Sequence, residues 1–252
     1  MQRTHRIHIL SGILVALVAP LGVSGAVISQ SIDLTGPAIV GQTLNGLSAR
    51  ATFKLDTVAP NTLVITLKNT STGVPAGTDS ASQMLAGLSF DLGQPGALAG
   101  DPSITGGSAV IGPGGVSVGI SPALSAGADI SAWWGYGNNG TGVILPNRTT
   151  AMRGGNSIGF TGSNLQGPGG GIVTNPPLVA MGGQSGFADS VVVTLTLDKP
   201  LANLSFLGNG VLAEFGSDYR FAQGTFTVPE PASLTVLVLG SLGALLRRRR
   251  RA

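Results

Sequence analysis

The chain contains no cysteine, and both of its histidines, His5 and His8, lie at the extreme N-terminus. The rest of the sequence therefore cannot supply a Ser-His-Asp or Cys-His nucleophile system, a thiolate, or the usual ligands of zinc. No disulfide can stabilise the fold, so its stability must come from burial. From these absences we expect no bound metal and no cofactor.

Charged residues are also scarce, at 10% of the chain, and the basic ones are concentrated at the two ends. Of the 14 lysines and arginines, two precede residue 27 and five occupy residues 247–251, so seven lie in residues 27–227. Ten of the 11 acidic residues lie in the same range. Residues 27–227 are therefore mildly acidic. Such a body offers no basic surface to a nucleic acid.

The N-terminal end has the pattern of a secretory signal peptide. Arg3 and Arg6 precede the apolar stretch Ile9 to Gly22, and the small residues Ser24-Gly25-Ala26 follow it. This order of basic, apolar and small residues is typical of an export signal that is removed from the mature protein. We expect signal peptidase to cleave after Ala26.

The C-terminal end has three parts. Pro229, Glu230 and Pro231 come first, and the uncharged apolar run 232–246 follows them. The chain then has five consecutive arginines, Arg247, Arg248, Arg249, Arg250 and Arg251. The two prolines disfavour helix and hold Glu230 in an extended segment that a peptidase could reach.

The apolar run and the arginines together predict a short membrane anchor. As a helix the run would measure about 22 Å, which is less than a stable span prefers and suits transient residence in the membrane. The arginines resist translocation and act as a stop-transfer signal in the cytoplasm. The body of the protein should therefore lie on the other side of the membrane.

This tripartite tail resembles the PEP-CTERM sorting signal of Gram-negative and related bacteria. The resemblance implies that an exosortase, a membrane enzyme, recognises Pro229, Glu230 and Pro231 and processes the chain near them. The expected organisation is a signal peptide (1–26), an exported β-rich domain (27–227) and a sorting signal (228–252). An ordinary C-terminal tail anchor is the alternative interpretation.

The sequence of residues 27–227 predicts an all-β fold. Apolar and polar residues alternate over 51–56 and 62–68 on either side of Ala59-Pro60-Asn61, which indicates a β-hairpin. Further strands are expected at 85–92, 191–197, 201–207, 211–215 and 220–228, with one short helix at 80–85. Many short strands separated by Gly, Pro and Asn favour an antiparallel sandwich or jelly roll. The signal helix and one transmembrane helix would flank it.

The middle of the body, residues 93–186, is rich in glycine and poor in aromatic residues. We expect long loops there, a thin core, and only short strands such as 116–120 and 142–145.

One aromatic stretch could bind carbohydrate. Trp133, Trp134 and Tyr136 lie together and are followed by Asn138. Exposed rings stack on the apolar faces of sugars while an amide bonds their hydroxyls. The favoured alternative is that a tryptophan fills the core of a domain with few aromatic residues. Coplanar exposed tryptophans would support the first interpretation, and buried ones the second.

Paired carboxylates could hydrolyse a glycan without histidine. The candidates are Asp33, Asp56, Asp79, Asp91, Asp101, Asp129, Asp189, Asp198, Glu214 and Asp218. They form no recognisable motif, and most lie at turns or strand ends, where Asp commonly caps the backbone.

The sequence therefore predicts a non-catalytic protein of the bacterial cell surface or extracellular matrix, associated with exopolysaccharide or biofilm. It would be exported across the inner membrane, anchored transiently and then processed. Signal peptidase, an exosortase and the membrane are the expected partners, and polysaccharide is a further candidate. A carbohydrate-binding module and a carboxylate-only hydrolase are the alternatives.

Overall fold

The computed structural model of the chain describes residues 25–76, 80–93, 101–137, 156–160, 170–216 and 220–224. Its strands are β1 (Val27–Leu34), β2 (Gly36–Pro37), β3 (Ala49–Asp56), β4 (Thr62–Asn69), β5 (Leu85–Phe90), β6 (Ile104–Ile111), β7 (Val116–Val118), β8 (Trp134–Gly137), β9 (Asn156–Phe160), β10 (Gly171–Val173), β11 (Gly186–Ala188), β12 (Ser190–Leu197), β13 (Val211–Phe215) and β14 (Arg220–Gly224). The helices of this described part are two short 3₁₀ turns, Ser80–Gln83 and Ser205–Asn209. The fold is therefore all-β, as predicted.

Within the same residues, neither helix has the length and apolar character needed to cross a bilayer. The predicted signal helix, the transmembrane run 232–246 and the whole sorting signal lie outside the described residues.

The strands form two sheets. The first has the order β1-β3-β4-β12-β6, and every neighbouring pair in it is antiparallel. The second follows the path β2-β14-β13-β5-β10-β11-β7, with β9 also paired to β5 and β8 paired to β9. Because β10 and β11 run parallel, the second sheet is mixed.

The predicted hairpin is confirmed as β3 and β4. Phe53 lies opposite Ile65, and Leu55 lies opposite Leu63. All four side chains are buried, while the alternate residues of β3 are exposed or half-buried. The period-two pattern therefore identified both the pairing and the buried face.

Both sheets contribute to one hydrophobic core. Phe53 of the first sheet meets Phe90 of the second, with ring centroids 5.6 Å apart at 80°. Phe206, from the second 3₁₀ turn, lies 5.9 Å from Phe53 at the same angle. Edge-to-face pairs of this kind add stability beyond the burial of their area.

The structure differs from the prediction in the middle of the body. An eight-residue strand, β6, pairs along β12, and its Ile104, Ala109 and Ile111 are buried. Gly106 and Gly107 interrupt the alternation of apolar residues in β6, so the sequence pattern did not predict this strand. The expectation of a thin core does not hold for residues 104–134, which enter the main cluster, whereas residues 94–100, 138–155 and 161–169 lie outside the described residues.

One local prediction was also wrong, and another was confirmed only in part. The strand predicted at residues 201–207 does not form. The backbone N–H of Leu201 bonds the carbonyl of Pro60, and a 3₁₀ turn begins at Ser205. The predicted helix 80–85 is a single 3₁₀ turn that ends at Gln83, and β5 begins at Leu85.

Candidate functional site

Trp134 belongs to the core. Its side chain is 4% exposed, and its indole Nε1 donates a hydrogen bond to the carbonyl of Gly170 at 2.9 Å. A buried tryptophan with a satisfied N–H stabilises the fold and has no free face for a ligand. The structural interpretation therefore holds for this residue.

Trp133 and Tyr136 are more accessible. Trp133 is half-buried and packs edge-on against Phe187, with ring centroids 6.0 Å apart at 70°. Tyr136 is 42% exposed, and its Cδ1 lies 3.2 Å from the position that a Cβ would take on Gly107 of β6. The absence of a side chain at Gly107 thus makes room for the tyrosine ring. Asn138 lies outside the described residues.

The structure does not show two coplanar, exposed tryptophans, the arrangement that would have supported carbohydrate binding, because Trp134 is buried in the core. Two aromatic rings, Trp133 and Tyr136, remain at least partly open to solvent beside it. They are the residues of the predicted carbohydrate site that a ligand could reach.

Four of the candidate carboxylates accept hydrogen bonds from the backbone. Asp56, Asp91 and Asp129 each accept a hydrogen bond from the backbone N–H two residues further along the chain. Asp198 accepts one from the backbone of Ser103 at 2.7 Å. This is the capping role that their positions at turns and strand ends predicted.

These hydrogen bonds also lower two pKa values. The hydroxyl and backbone N–H of Ser131 lower the pKa of Asp129, and the backbone N–H of Ser103 lowers the pKa of Asp198. Both carboxylates are therefore held in the ionised form, which cannot act as a general acid.

Two further carboxylates form ion pairs. Asp33 accepts a bidentate pair of hydrogen bonds from Arg50 at 2.6 and 3.0 Å, which lowers the pKa of Asp33. Asp189 lies 2.8 Å from the ammonium of Lys68. Both pairs join neighbouring chain segments at the surface of the first sheet.

Glu214 differs from the other carboxylates. It is half-buried in the middle of β13, and desolvation raises its pKa. A raised pKa is a property of general acids, but it also results from burial alone. Directly opposite Glu214 on the neighbouring strands lie Phe221 and Gly87.

One pair of carboxylates converges. Asp91 Oδ1 and Asp101 Oδ2 each lie 2.9 Å from the position that a Cβ would take on Gly93. No local sequence signal indicated this proximity, since a stretch outside the described residues separates the two aspartates. The remaining candidates, Asp79 and Asp218, lie outside the description.

Among the described residues, no group of three or more His, Asp or Glu side chains is arranged to hold a metal ion. The predicted cleavage residue, Ala26, lies at the start of β1. Its N–H bonds the Thr57 hydroxyl at 2.9 Å, and its carbonyl accepts the Thr57 N–H at 3.1 Å. The ladder of the first sheet thus extends to the predicted scissile bond.

No curated protein and no solved structure matches the chain. Residues 227–251 match the model of the PEP-CTERM protein-sorting motif. This range contains Pro229, Glu230, Pro231, the apolar run and all five arginines, the same residues that carry the resemblance in the sequence. The chain therefore carries a PEP-CTERM protein-sorting motif, which supports export to the bacterial cell envelope or surface and sorting through an exosortase.

Proposed function

We propose that the chain is a non-catalytic structural protein of the bacterial surface or extracellular matrix. Signal peptidase removes residues 1–26, and the run 232–246 holds the body at the membrane while the five arginines stop translocation. The exosortase then processes the chain near Pro229, Glu230 and Pro231. The match of residues 227–251 to the sorting motif carries this proposal.

The two sheets support a sandwich architecture for the exported body. Phe53 and Phe90 come from different sheets and lie in edge-to-face contact inside one core. Face-to-face packing of two sheets buries apolar side chains between them, and such burial would stabilise a chain that has no cysteine for a disulfide. Such a body resists a variable extracellular environment through packing alone.

The use of the carboxylates supports a structural role. Among the described residues, four aspartates accept backbone hydrogen bonds at turns or between segments, and two more form ion pairs. Acids committed to these contacts are poor catalysts, because changing their protonation state would weaken the fold.

The sorting step is tested by intact mass and membrane fractionation of the protein from its own host. The test variant is P229A/E230A/P231A, and the control replaces the five arginines with lysines, which keeps the charge of the stop-transfer segment. We expect the native and control chains to lose both ends, while the test variant stays in the membrane at full tail length. A tail that persists in the native protein contradicts exosortase sorting.

Tyr136 and Trp133 support carbohydrate binding as a second candidate function. Their partly open rings could stack on sugars of the exopolysaccharide. Glycan-array binding should fall at least tenfold in Tyr136→Ala and stay unchanged in Val58→Ala, whose side chain is 67% exposed elsewhere. Equal binding by the two variants, or none by the native protein, contradicts this candidate.

The proximity of Asp91 to Asp101 supports the hydrolase as a lesser candidate. Retaining glycosidases hold two carboxyl groups roughly 5 Å apart. Asp101→Asn should then abolish release of reducing sugar from the host's exopolysaccharide, whereas Asp129→Asn, at a turn, should not. If the native protein releases no sugar, the pair serves the turn at Gly93.

A further inference from the structure

β1 is an outer strand of the first sheet, and β3 pairs with only one of its edges. The hydrogen bond from Thr57 N–H to the Ala26 carbonyl fixes the phase of the ladder. Alternate residues of a strand direct their backbone N–H and C=O groups to the same edge. Ala26 bonds toward β3, so the N–H and C=O groups of Ile28, Gln30, Ile32 and Leu34 also point toward β3. The residues that direct them away are Val27, Ser29, Ser31 and Asp33.

In the part of the chain that the structure describes, no hydrogen bond reaches the outward backbone groups of this edge. The opposite edge of the same sheet is different. There, the segment around Ala128 and Ile130 bonds the backbone of Ala109 and Ile111 in β6. The middle of this edge, at Ser29 and Ser31, can therefore act as a template for another strand.

The sequence of β1 is complementary to itself. Ile28-Ser29-Gln30-Ser31-Ile32 is the same in both directions. If a two-fold axis passes through Gln30, Ser29 lies opposite Ser31 of a second copy, and Ile28 lies opposite Ile32 of that copy. Each apolar residue then meets an apolar one on the core side, and each serine meets a serine on the solvent side.

The hydrogen-bonding phase agrees with this axis. Ser29 and Ser31 direct their backbone groups outward, so each can exchange two hydrogen bonds with its counterpart. Gln30 directs its own groups toward β3 and therefore faces itself in a non-hydrogen-bonded pair. An axis that passed between two residues, such as Ser29 and Gln30, would pair an outward residue with a β3-directed one and form no ladder, and an axis through Ser29 would place Ile28 opposite Gln30.

Charge complementarity supports the same pairing. Val27 lies opposite Asp33 of the second copy, and cleavage after Ala26 would leave Val27 with the terminal ammonium. The Asp33 side chain is 57% exposed beside Arg50, so it can accept this second cation. The ends of β14 and β1 meet at Asp33, because a Cβ on Gly224 would lie 2.6 Å from the Asp33 carbonyl oxygen. The main backbone hydrogen bonds between the two copies would therefore be those of Ser29 and Ser31.

We propose that the processed protein forms a two-fold dimer through β1, which joins the two five-stranded sheets into one continuous sheet. This inference rests on the proposed removal of residues 1–26. If residues 1–26 were retained, they would continue from Val27 past Asp33 of the second copy. At that point the second copy turns from β1 into its own second sheet, so the retained residues would obstruct the pairing. Signal cleavage therefore opens the edge and supplies the matching charge.

Because the chain has no cysteine, Gln30→Cys introduces a single thiol at the axis. Non-hydrogen-bonded antiparallel pairs have Cα atoms about 4.5 Å apart, within the range of a disulfide. The full chain is expressed in its host, the envelope is treated with a mild oxidant, and the products are separated without reductant. We expect Gln30→Cys to be mainly a dimer and the Val58→Cys control, at an exposed site away from the axis, to stay monomeric.

A second substitution tests the edge itself. Ser31→Pro, added to Gln30→Cys, removes an outward N–H and leaves the ladder to β3 intact, while Ser31→Ala keeps that N–H. The cross-linked fraction should fall at least tenfold with proline and persist with alanine. Both variants lose the exposed contact between the Ser31 and Thr52 hydroxyls, so their thermal unfolding should be similar. Persistence with proline, a monomeric Gln30→Cys chain, or equal cross-linking of Val58→Cys each contradicts the dimer.

Intact masses from the same samples separate the two proposals. A processed chain that remains monomeric contradicts the dimer and leaves the sorting proposal standing. A dimer with a persistent C-terminal tail contradicts exosortase processing and supports the edge pairing.

Discussion

The side-chain amide of Asn69 donates a hydrogen bond to the carbonyl of Ile172 at 2.8 Å and so ties the first sheet to the second. The same Nδ2 donates to the carbonyl of Gln83 at 2.8 Å, and Oδ1 accepts the N–H of Ser71 at 3.0 Å. The Asn69 side chain is 2% exposed, so these partners have little access to bulk water. One amide therefore satisfies three backbone groups where the sheets approach.

Asn69→Ala should lower the free energy of unfolding by about 3 kcal/mol, because each buried group left without a partner costs about 1–3 kcal/mol. Asn69→Asp should be worse, since a carboxylate would face two carbonyl oxygens. Urea denaturation measures both. Asn61→Ala is the control, because it removes one longer bond, 3.2 Å, from a half-buried position. Equal effects at the two positions would show that Asn69 has no special role between the sheets.

No sequence pattern could have identified Asn69 as this bridge. Its two carbonyl partners lie 14 and 103 residues away, so the contact depends on how the sheets pack. The hairpin of β3 and β4 was predictable because its information is local: a short turn and an alternation such as Phe53 with Lys54. β6 could not be predicted from its sequence, because Gly106 and Gly107 break the apolar alternation and its pairing partner, β12, lies far along the chain.

The sorting signal and the candidate site show the same contrast. Pro229 to Arg251 could be predicted from order and composition, because a membrane signal acts as a linear segment. Which tryptophan is buried could not be predicted, since Trp133 and Trp134 are adjacent and chemically identical. The pleat of β8 and the carbonyl of Gly170 decide that Trp134 faces inward.

The two tryptophans should respond differently to substitution. Trp134→Ala should cost about 3–5 kcal/mol, as large core truncations do. Trp134→Phe should cost about 1–3 kcal/mol, because the Gly170 carbonyl loses its donor. Trp133→Phe changes a half-buried side chain and keeps the edge contact with Phe187, so it should have a smaller effect. Thermal and denaturant unfolding test this order, and equal effects of the two phenylalanine variants would contradict it.

Asp189 combines an unusual backbone conformation with an ion pair. Its φ is 77°, in the left-handed region, and its carboxylate bonds Lys68. Asp189→Ala should be less stable than Asp189→Gly by about 1 kcal/mol, because a Cβ is disfavoured at this φ. Asp189→Asn tolerates the conformation and removes only the ion pair, which should contribute less than about 1 kcal/mol at the surface. Chemical denaturation of the three variants separates strain from charge, and an alanine variant as stable as glycine would exclude strain.

Glu214 should make the protein more stable in mild acid than at neutral pH. Because burial raises its pKa in the folded state, the fold binds this proton more tightly than the unfolded chain does. The resulting stability is fully present below the unfolded pKa, near 4.5, and is lost as pH rises through the higher folded pKa. Glu214→Gln, which stays neutral and nearly isosteric, should remove this loss and raise the melting temperature at pH 7. The control is Val58→Ala, at an exposed position without an ionisable side chain, which should leave the dependence unchanged. Melting curves from pH 4.5 to 8 decide the matter: if the native and Glu214→Gln proteins show the same slope, the Glu214 carboxylate is solvated and its burial does not govern stability.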